Sequence, residues 1–284
     1  MRHREGRFQA DDVGEIYWQS WSPDNPPRAI LLLVHGLAEH SGRYAAFADY
    51  FTAAGFGVHT FDHPGHGRSA GRKGYVRDFN QFTKILGDYV VSVKRTHPEL
   101  PVYLVGHSMG GLIAAAFLIR FQSLFAGAVL SGPAIRAPEQ PSRFAVFIMR
   151  IISKLLPRLG VLQVESAGIS RDPGVVQAYE SDPLVFRGKV SARLAAELHL
   201  AMQKVQSEAA TIHLPLLILH GGSDSLTDVG GSQLLHREVR SADKKIIVYE
   251  GLYHEIFNEP ERLAVMTDMK NWIEQRLSGS TEQD

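Results

Sequence analysis

The sequence predicts an α/β protein in which a mostly parallel sheet, flanked by helices, is interrupted by a helical cap. Short β-rich apolar runs alternate with longer helical patterns along the first 132 residues. The strand signal disappears between residues 133 and 212, where helical patterns take over, and the alternation then resumes. We therefore expect a core formed by residues 1–132 and 213–284 and a cap, or lid, formed by residues 133–212.

The individual elements follow from the spacing of apolar residues. Residues 29–34 form a continuous apolar run, which is typical of a strand buried on both faces. Other strands are expected at residues 14–21, 56–61, 102–105, 126–130, 216–219 and 245–249. Helices are expected near residues 44–51, 79–93 and 109–121, and from about residue 260.

The composition restricts the classes of partner and cofactor. Lysine and arginine number 30, as do aspartate and glutamate, so the net charge argues against a nucleic-acid partner. The absence of cysteine excludes disulfides, thiolate catalysis and cysteine-ligated metals. The charged N-terminal segment lacks the apolar centre of a signal peptide, and no stretch approaches the ~18 apolar residues of a spanning helix. We expect a cytoplasmic protein.

A nucleophile is indicated by the sequence Gly106-His-Ser108-Met-Gly110, which lies between a predicted strand and a predicted helix. This G-x-S-x-G pattern places a serine hydroxyl on a sharp, exposed turn, and the flanking glycines allow the backbone to come close. The pattern alone occurs by chance, and the alternative is a tight turn with an idle serine. The flanking strand and helix favour a catalytic Ser108.

The tetrahedral intermediate of acyl transfer requires fixed N–H donors around its oxyanion. The residue after the nucleophile, Met109, is expected to supply one. The loop after the strand at residues 29–34 is expected to supply the other, from Leu37, because Gly36 allows the backbone to turn. The alternative is that His35-Gly36 only ends the strand.

The acid and the base are expected on two later loops at the same edge of the sheet. Asp224 follows the strand at residues 216–219, and His254 follows the strand at residues 245–249. The order Ser, Asp, His is that of the nucleophile-elbow hydrolases. Asp228 is the rival acid.

The histidine-containing run Asp62–Ser69 is interpreted as a structured turn. No metal-binding string of histidines is present, so no metal or cofactor is expected.

Together, several segments resemble the monoacylglycerol lipase family of the α/β-hydrolases. They extend over most of the chain: residues 35–44, 61–69, 106–111, 170–173, 179–184, 220–224 and 250–254. The resemblance implies the α/β-hydrolase fold and hydrolysis of monoacylglycerols to fatty acid and glycerol, without a cofactor. It assigns the triad to Ser108, Asp224 and His254.

The same resemblance places the oxyanion donors at Leu37 and Met109 and suggests that Tyr179 contacts the glycerol hydroxyls. Leu37-Ala38 departs from the family, whose members often have smaller residues such as Ala-Gly there. The donor is a backbone N–H and is retained, whereas the space beside the acyl carbonyl is expected to differ.

The cap contains a basic, strongly apolar helical segment at residues 143–156. Arg143, Arg150 and Lys154 fall on one narrow face, and the remainder is mostly phenylalanine, isoleucine, methionine, valine and leucine. Such a helix can lie in a membrane interface, or it can bury its apolar side against the core. Transient contact with a membrane surface is therefore one of two alternatives.

Function remains open between related and unrelated classes at this point. The leading hypothesis, which the resemblance implies, is a monoacylglycerol lipase that acts on a small lipid ester through an acyl-Ser108 intermediate, with a broader carboxylesterase or lysophospholipase as the main rival. An acyltransferase, a thioesterase and a non-catalytic ligand receptor on the same fold are further alternatives. The oligomeric state cannot be read from the sequence.

Overall fold

The computed structural model describes residues 1–280, and an eight-stranded sheet forms the centre of that part of the chain. In chain order its strands are β1 (Arg2–Ala10), β2 (Gly14–Ser22), β3 (Ile30–Val34), β4 (Gly57–Phe61), β5 (Val102–His107), β6 (Gly127–Ser131), β9 (Leu216–Gly221) and β10 (Lys244–Tyr249). Their order across the sheet is β1-β2-β4-β3-β5-β6-β9-β10. The six strands from β4 to β10 in that order are parallel, whereas β1 and β2 pair antiparallel at one edge.

Helices cover both faces of this sheet. In chain order they are α1 (Ala45–Ala53), α2 (Asn80–Thr96), α3 (Met109–Phe121), α4 (Arg143–Leu155), α5 (Pro173–Ser181), α6 (Ala192–Glu208), α7 (Val229–Glu238) and α8 (Arg262–Ser280). Helices α2, α3, α6 and α7 contribute to one buried apolar cluster, and α1 and α8 contribute to the other. The structure thus confirms the α/β-hydrolase architecture of a mostly parallel sheet between helical layers.

The central strands form because alternate side chains enter opposite clusters. In β3, Leu32 and Val34 pack in the cluster of α3, whereas Leu31 and Leu33 pack in the cluster of α8. All five residues of β3 are buried. Continuous apolar character is therefore required on both faces, and this explains why the run was readable in the sequence.

The segment between β6 and β9 is mainly helical, as predicted, but it also contains two short strands. These are β7 (Gly160–Leu162) and β8 (Val190–Ser191), which pair antiparallel. Two or three residues are too few to produce a readable alternation. Helix α6 follows β8 and buries Leu194, Leu198 and Val205 in the same cluster as α3, so the proposed cap is attached to the core along this helix.

Strand β1 was not predicted. Six of its nine residues are exposed, two are partly exposed, and only Ala10 is buried. An edge strand can keep this polar composition because β2 supplies its backbone partners on one side, from Arg2 opposite Ser22 to Ala10 opposite Gly14. Within residues 1–280, none of the helices is both long enough and apolar enough to cross a membrane.

Candidate active site

Ser108 lies at the turn between the last residue of β5 and the first residue of α3, with φ 55° and ψ −120°. A positive φ is uncommon for a residue with a side chain and costs about 1–3 kcal/mol. The turn also requires glycine on either side. A Cβ on Gly110 would lie 2.0 Å from the carbonyl oxygen of Val34, and one on Gly106 would lie 2.6 Å from that of Gly110. The G-x-S-x-G pattern is therefore dictated by steric contact.

Asp224 and His254, on the loops after β9 and β10, form a direct pair. The Nδ1–H of His254 donates to Oδ2 of Asp224 over 2.7 Å. The other carboxylate oxygen, Oδ1, accepts the backbone N–H groups of Leu226 at 2.8 Å and Thr227 at 3.0 Å. Because Nδ1 carries the hydrogen of the neutral ring, Nε2 is left with the lone pair that a general base uses.

The charges of this pair support each other. Burial alone would raise the pKa of Asp224, but the charge of His254 and hydrogen bonds from His220 and His254 hold that pKa below its usual value. Burial alone would lower the pKa of His254, but the charge and hydrogen bond of Asp224 raise it above the ordinary histidine value. The site therefore favours the imidazolium that forms when His254 accepts a proton.

Ser108 and His254 line one cavity of about 610 Å³. Leu37, Met109 and Tyr179 line it as well, so the structure brings all the predicted site residues except the buried Asp224 to its wall. The cavity is mainly apolar, and these apolar side chains come from the proposed cap, including α6, and from the loop after β9: Ala134, Ala137, Pro138, Leu162, Val164, Ile169, Leu198, Met202 and Leu226. This lining can receive a hydrocarbon chain beside the serine.

The backbone around Leu37 is oriented by a buried histidine. His35 Nε2 accepts the backbone N–H of His63 at 3.0 Å, so the hydrogen of the neutral ring is on Nδ1, which donates to the carbonyl of Gly36 at 2.8 Å. Burial holds the pKa of His35 well below its usual value, which keeps the ring neutral. In a trans peptide, the N–H of Leu37 points away from the carbonyl of Gly36 and hence away from His35.

A buried polar cluster lies on the cavity wall beside His254 and is built around Arg43. The guanidinium of Arg43 donates to both oxygens of Glu255, at 2.6 and 2.8 Å, and to Oε2 of Glu39 at 3.0 Å. It also stacks on the ring of Tyr179, 4.8 Å from the centroid. Burial raises the pKa of Glu39; burial would also raise that of Glu255, but Arg43 outweighs it and lowers that pKa.

The rival acid Asp228 lies in a different place. Its carboxylate caps α7 by accepting the backbone N–H of Gly230 at 2.8 Å, and it pairs with Arg136 at 3.2 Å.

The Asp62–Ser69 run is held as a turn by the carboxylate of Asp62. Asp62 accepts the N–H of Ser41 and of Arg68, both at 2.8 Å. Among residues 1–280, no cluster of three or more His, Asp or Glu side chains is arranged to hold a metal ion.

Several contacts of the site were not read from the sequence. Thr227 Oγ1 lies 2.8 Å from Asp224 Oδ2, and His220 Nε2 lies 3.2 Å from the same oxygen. The buried Glu259 accepts hydrogen bonds from Arg171 of the cap at 2.7 and 2.9 Å and from the N–H of Tyr253 at 3.3 Å. His220 starts the motif that contains Asp224, which was a usable signal, whereas nothing in the sequence distinguishes Glu259.

Fold and site together define a serine hydrolase of the α/β-hydrolase class. A family model described as serine aminopeptidase, S33, matches residues 25–261. Monoacylglycerol lipase of Mycolicibacterium smegmatis is 42% identical over 92% of this chain and 94% of its own length. Human monoglyceride lipase is 35% identical over 93% of this chain and 88% of its own length.

A solved structure agrees with these relatives. The crystal structure of Paleococcus ferrophilus monoacylglycerol lipase superposes with a TM-score of 0.82 at 32% identity and covers 93% of this chain and 98% of its own. The chain belongs to the monoacylglycerol lipase family of the α/β-hydrolases.

Proposed function

We propose that the chain hydrolyses monoacylglycerols to fatty acid and glycerol through an acyl-Ser108 intermediate, without a cofactor. The observation that carries this proposal is that His254, which is hydrogen-bonded to Asp224 over 2.7 Å, lines the same apolar cavity as Ser108. The assignment of the triad and of the oxyanion donors is part of the proposal. Family membership supports the choice of substrate.

In the first half of the reaction, His254 Nε2 removes the proton of the Ser108 hydroxyl, and the oxygen attacks the ester carbonyl carbon. The resulting oxyanion accepts hydrogen bonds from the N–H groups of Leu37 and Met109, and the N-terminus of α3 adds its positive dipole end. His254 then returns the proton to the departing glycerol oxygen. In the second half, water takes the place of the alcohol and releases the fatty acid.

The cavity offers the substrate an apolar environment and a polar one. The apolar side chains suit the acyl chain, because transfer of each CH₂ group from water into the cavity is favourable by about 0.8 kcal/mol. The buried cluster of Glu39, Arg43 and Glu255, with Tyr179 against it, suits hydroxyl groups, which can both donate and accept. Two carboxylates beside one guanidinium disfavour a phosphate in the same place.

A substrate panel tests this proposal. With purified protein, we expect kcat/KM on a monoacylglycerol to exceed that on a lysophosphatidylcholine of the same chain length by about 10-fold or more, since a buried anion–anion contact costs at least ~1.4 kcal/mol. Triacylglycerol should also be slower. A clear preference for the phospholipid would contradict the substrate assignment and favour the lysophospholipase alternative.

We further propose that α4 contacts membrane surfaces transiently. The support is an inverted pattern of burial: the one fully buried residue of this helix is Ser153, whereas Phe144, Phe147 and Leu155 are 72%, 58% and 74% exposed. Arg150 and Lys154 supply positive charge beside this apolar face. A helix of this kind buries its apolar side chains in the headgroup region of a bilayer.

The double variant Phe144→Ser/Phe147→Ser should bind vesicles of phosphatidylcholine and phosphatidylglycerol at least about 10-fold more weakly, because two phenylalanines lose their transfer to the bilayer. Its turnover of a water-soluble short-chain ester should be unchanged. Val91→Ser/Leu263→Ser is the matched control, because these side chains are 53% and 60% exposed on other helices. Equal vesicle binding by the α4 variant and the wild type would refute the contact.

A further inference from the structure

A second imidazole, that of His220, contacts the carboxylate of Asp224, and the mechanism above gives it no role. His220 Nε2 lies 3.2 Å from Asp224 Oδ2, and both side chains are fully buried, at 0% exposure. On its other side, His220 Nδ1 lies 2.7 Å from the hydroxyl oxygen of Ser232. The carboxylate of Asp224 and the carbonyl of Thr227, which lies 3.4 Å from Nε2, can only accept hydrogen bonds, so Nε2 carries the hydrogen, and Nδ1 of the neutral ring accepts that of Ser232.

The two imidazoles therefore share one oxygen atom. Oδ2 of Asp224 lies 2.7 Å from His254 Nδ1 and 3.2 Å from His220 Nε2, and it also accepts the hydroxyl of Thr227 at 2.8 Å, while Oδ1 is occupied by backbone N–H groups. His220 is the next-to-last residue of β9, where its side chain is buried, and its Nε2 also lies 3.4 Å from the carbonyl oxygen of Thr227. This geometry keeps the carboxylate facing both rings.

We propose that His220 is a positioning residue that takes part of the negative charge of Asp224 and so limits how tightly His254 holds its proton. The proposal rests on the triad proposed above. Each donor to a carboxylate disperses its charge, and the neighbouring imidazolium is then less stabilised. A base that held its proton too tightly would return it slowly to the leaving alcohol.

Other titratable and charged groups also act on His254, whereas the other hydrogen bonds of His220 go to Ser232 and Thr227. The ring of His107 lies 4.7 Å from that of His254, measured between centroids. The charges of Glu255 and Glu39 also act on His254, and Arg43 is bonded to both of these carboxylates. Asp224 is the charged group that contacts both rings, so the effect of a His220 variant on the titration of His254 is expected to act through Asp224.

The test is the pH dependence of kcat/KM on a water-soluble short-chain ester. In His220→Leu, the acid limb of the profile should move to higher pH by about 0.5–1 unit, because Asp224 loses one of its donors. At the pH optimum kcat should fall by about 3- to 10-fold, with KM little changed. His220→Gln can offer an amide N–H to the same oxygen and should restore most of both quantities.

Two further variants separate this role from simple destabilisation. Ser232→Ala removes the donor to His220 Nδ1 and should move the acid limb in the same direction by a smaller amount, which keeps the test available if His220→Leu does not fold. His59→Leu replaces another buried histidine, 8% exposed on β4, and should lower the melting temperature without moving the limb. An acid limb that is unmoved, or moved to lower pH, in the folded variants would overturn the proposal.

Failure of this inference can be told apart from failure of the proposed function. If Asp224→Asn has normal activity, then the triad itself is wrong. If Ser108→Ala and Asp224→Asn are both inactive while His220→Leu has the wild-type profile, then only the role of His220 is wrong.

Discussion

Ser108→Ala should lower kcat on monoacylglycerol by about 10⁵-fold or more, because removal of the nucleophile abolishes the covalent route and leaves only the binding site and the oxyanion donors. The variant should remain folded, since alanine adds no atoms at the turn. Labelling by a fluorophosphonate probe, followed by mass spectrometry of the labelled peptide, gives an independent measurement. The wild type should be labelled at Ser108, and the variant should not react.

Ser241→Ala is a suitable control for this experiment. Ser241 is also buried, and its hydroxyl donates to the carbonyl of Asp243 at 3.0 Å, just before β10 begins and thus at the opposite end of that strand from the loop of His254. Its replacement should leave turnover and labelling intact. Substantial hydrolysis by Ser108→Ala, or absence of labelling in active wild-type protein, would remove the serine mechanism and favour a ligand receptor on the same fold.

Asp224→Asn should lower kcat by about 10⁴-fold, as loss of the corresponding charge does in other serine hydrolases, because the amide no longer fixes the tautomer of His254. The pH dependence should change too. Activity requires neutral His254 and therefore rises with pH through the pKa of that group. Because the charge of Asp224 raises that pKa, the acid limb of kcat/KM in the variant should move to lower pH.

The matched control is Asp228→Asn, four residues further along. Asn is as good a helix N-cap as Asp, so α7 should remain capped and the activity should stay close to that of the wild type. The reverse outcome, with Asp228→Asn inactive and Asp224→Asn active, would show that the acid has been assigned to the wrong residue. Circular dichroism of both variants establishes that they are folded before the rates are compared.

The sheet was predictable where strands are buried on both faces. Strands β3 to β6 and β9 were all anticipated within one or two residues, because burial from both sides demands largely apolar residues. Strand β10 was anticipated equally well, although it lies at the edge of the sheet and its residues are only partly buried or exposed. Strand β1 was not predicted, because it is an edge strand whose side chains are largely exposed to solvent. Strands β7 and β8 have three and two residues, and such short pairs are set by the loops around them.

The candidate site was predictable to the extent that each group follows a strand within a recognisable local pattern. Ser108, Asp224 and His254 each follow a strand of the parallel sheet, and the loops after such strands share one edge. The position of His220 at the start of the Asp224 motif was a usable signal, but the contacts of Thr227 and Glu259 depend on side-chain directions in three dimensions, which no spacing encodes. For α4, periodicity separated the apolar and basic faces but gave no information on which face lies against the core.

At position 108, folding stability and catalysis favour different residues. With φ at 55° and ψ at −120°, this position lies where folding stability alone would favour glycine, which adopts such angles without steric cost. A side chain there is a burden of about 1–3 kcal/mol on a fold whose total stability is about 5–15 kcal/mol. Folding stability thus favours glycine at this position, whereas catalysis requires a serine. The presence of serine indicates that the requirement for turnover outweighed the loss of stability.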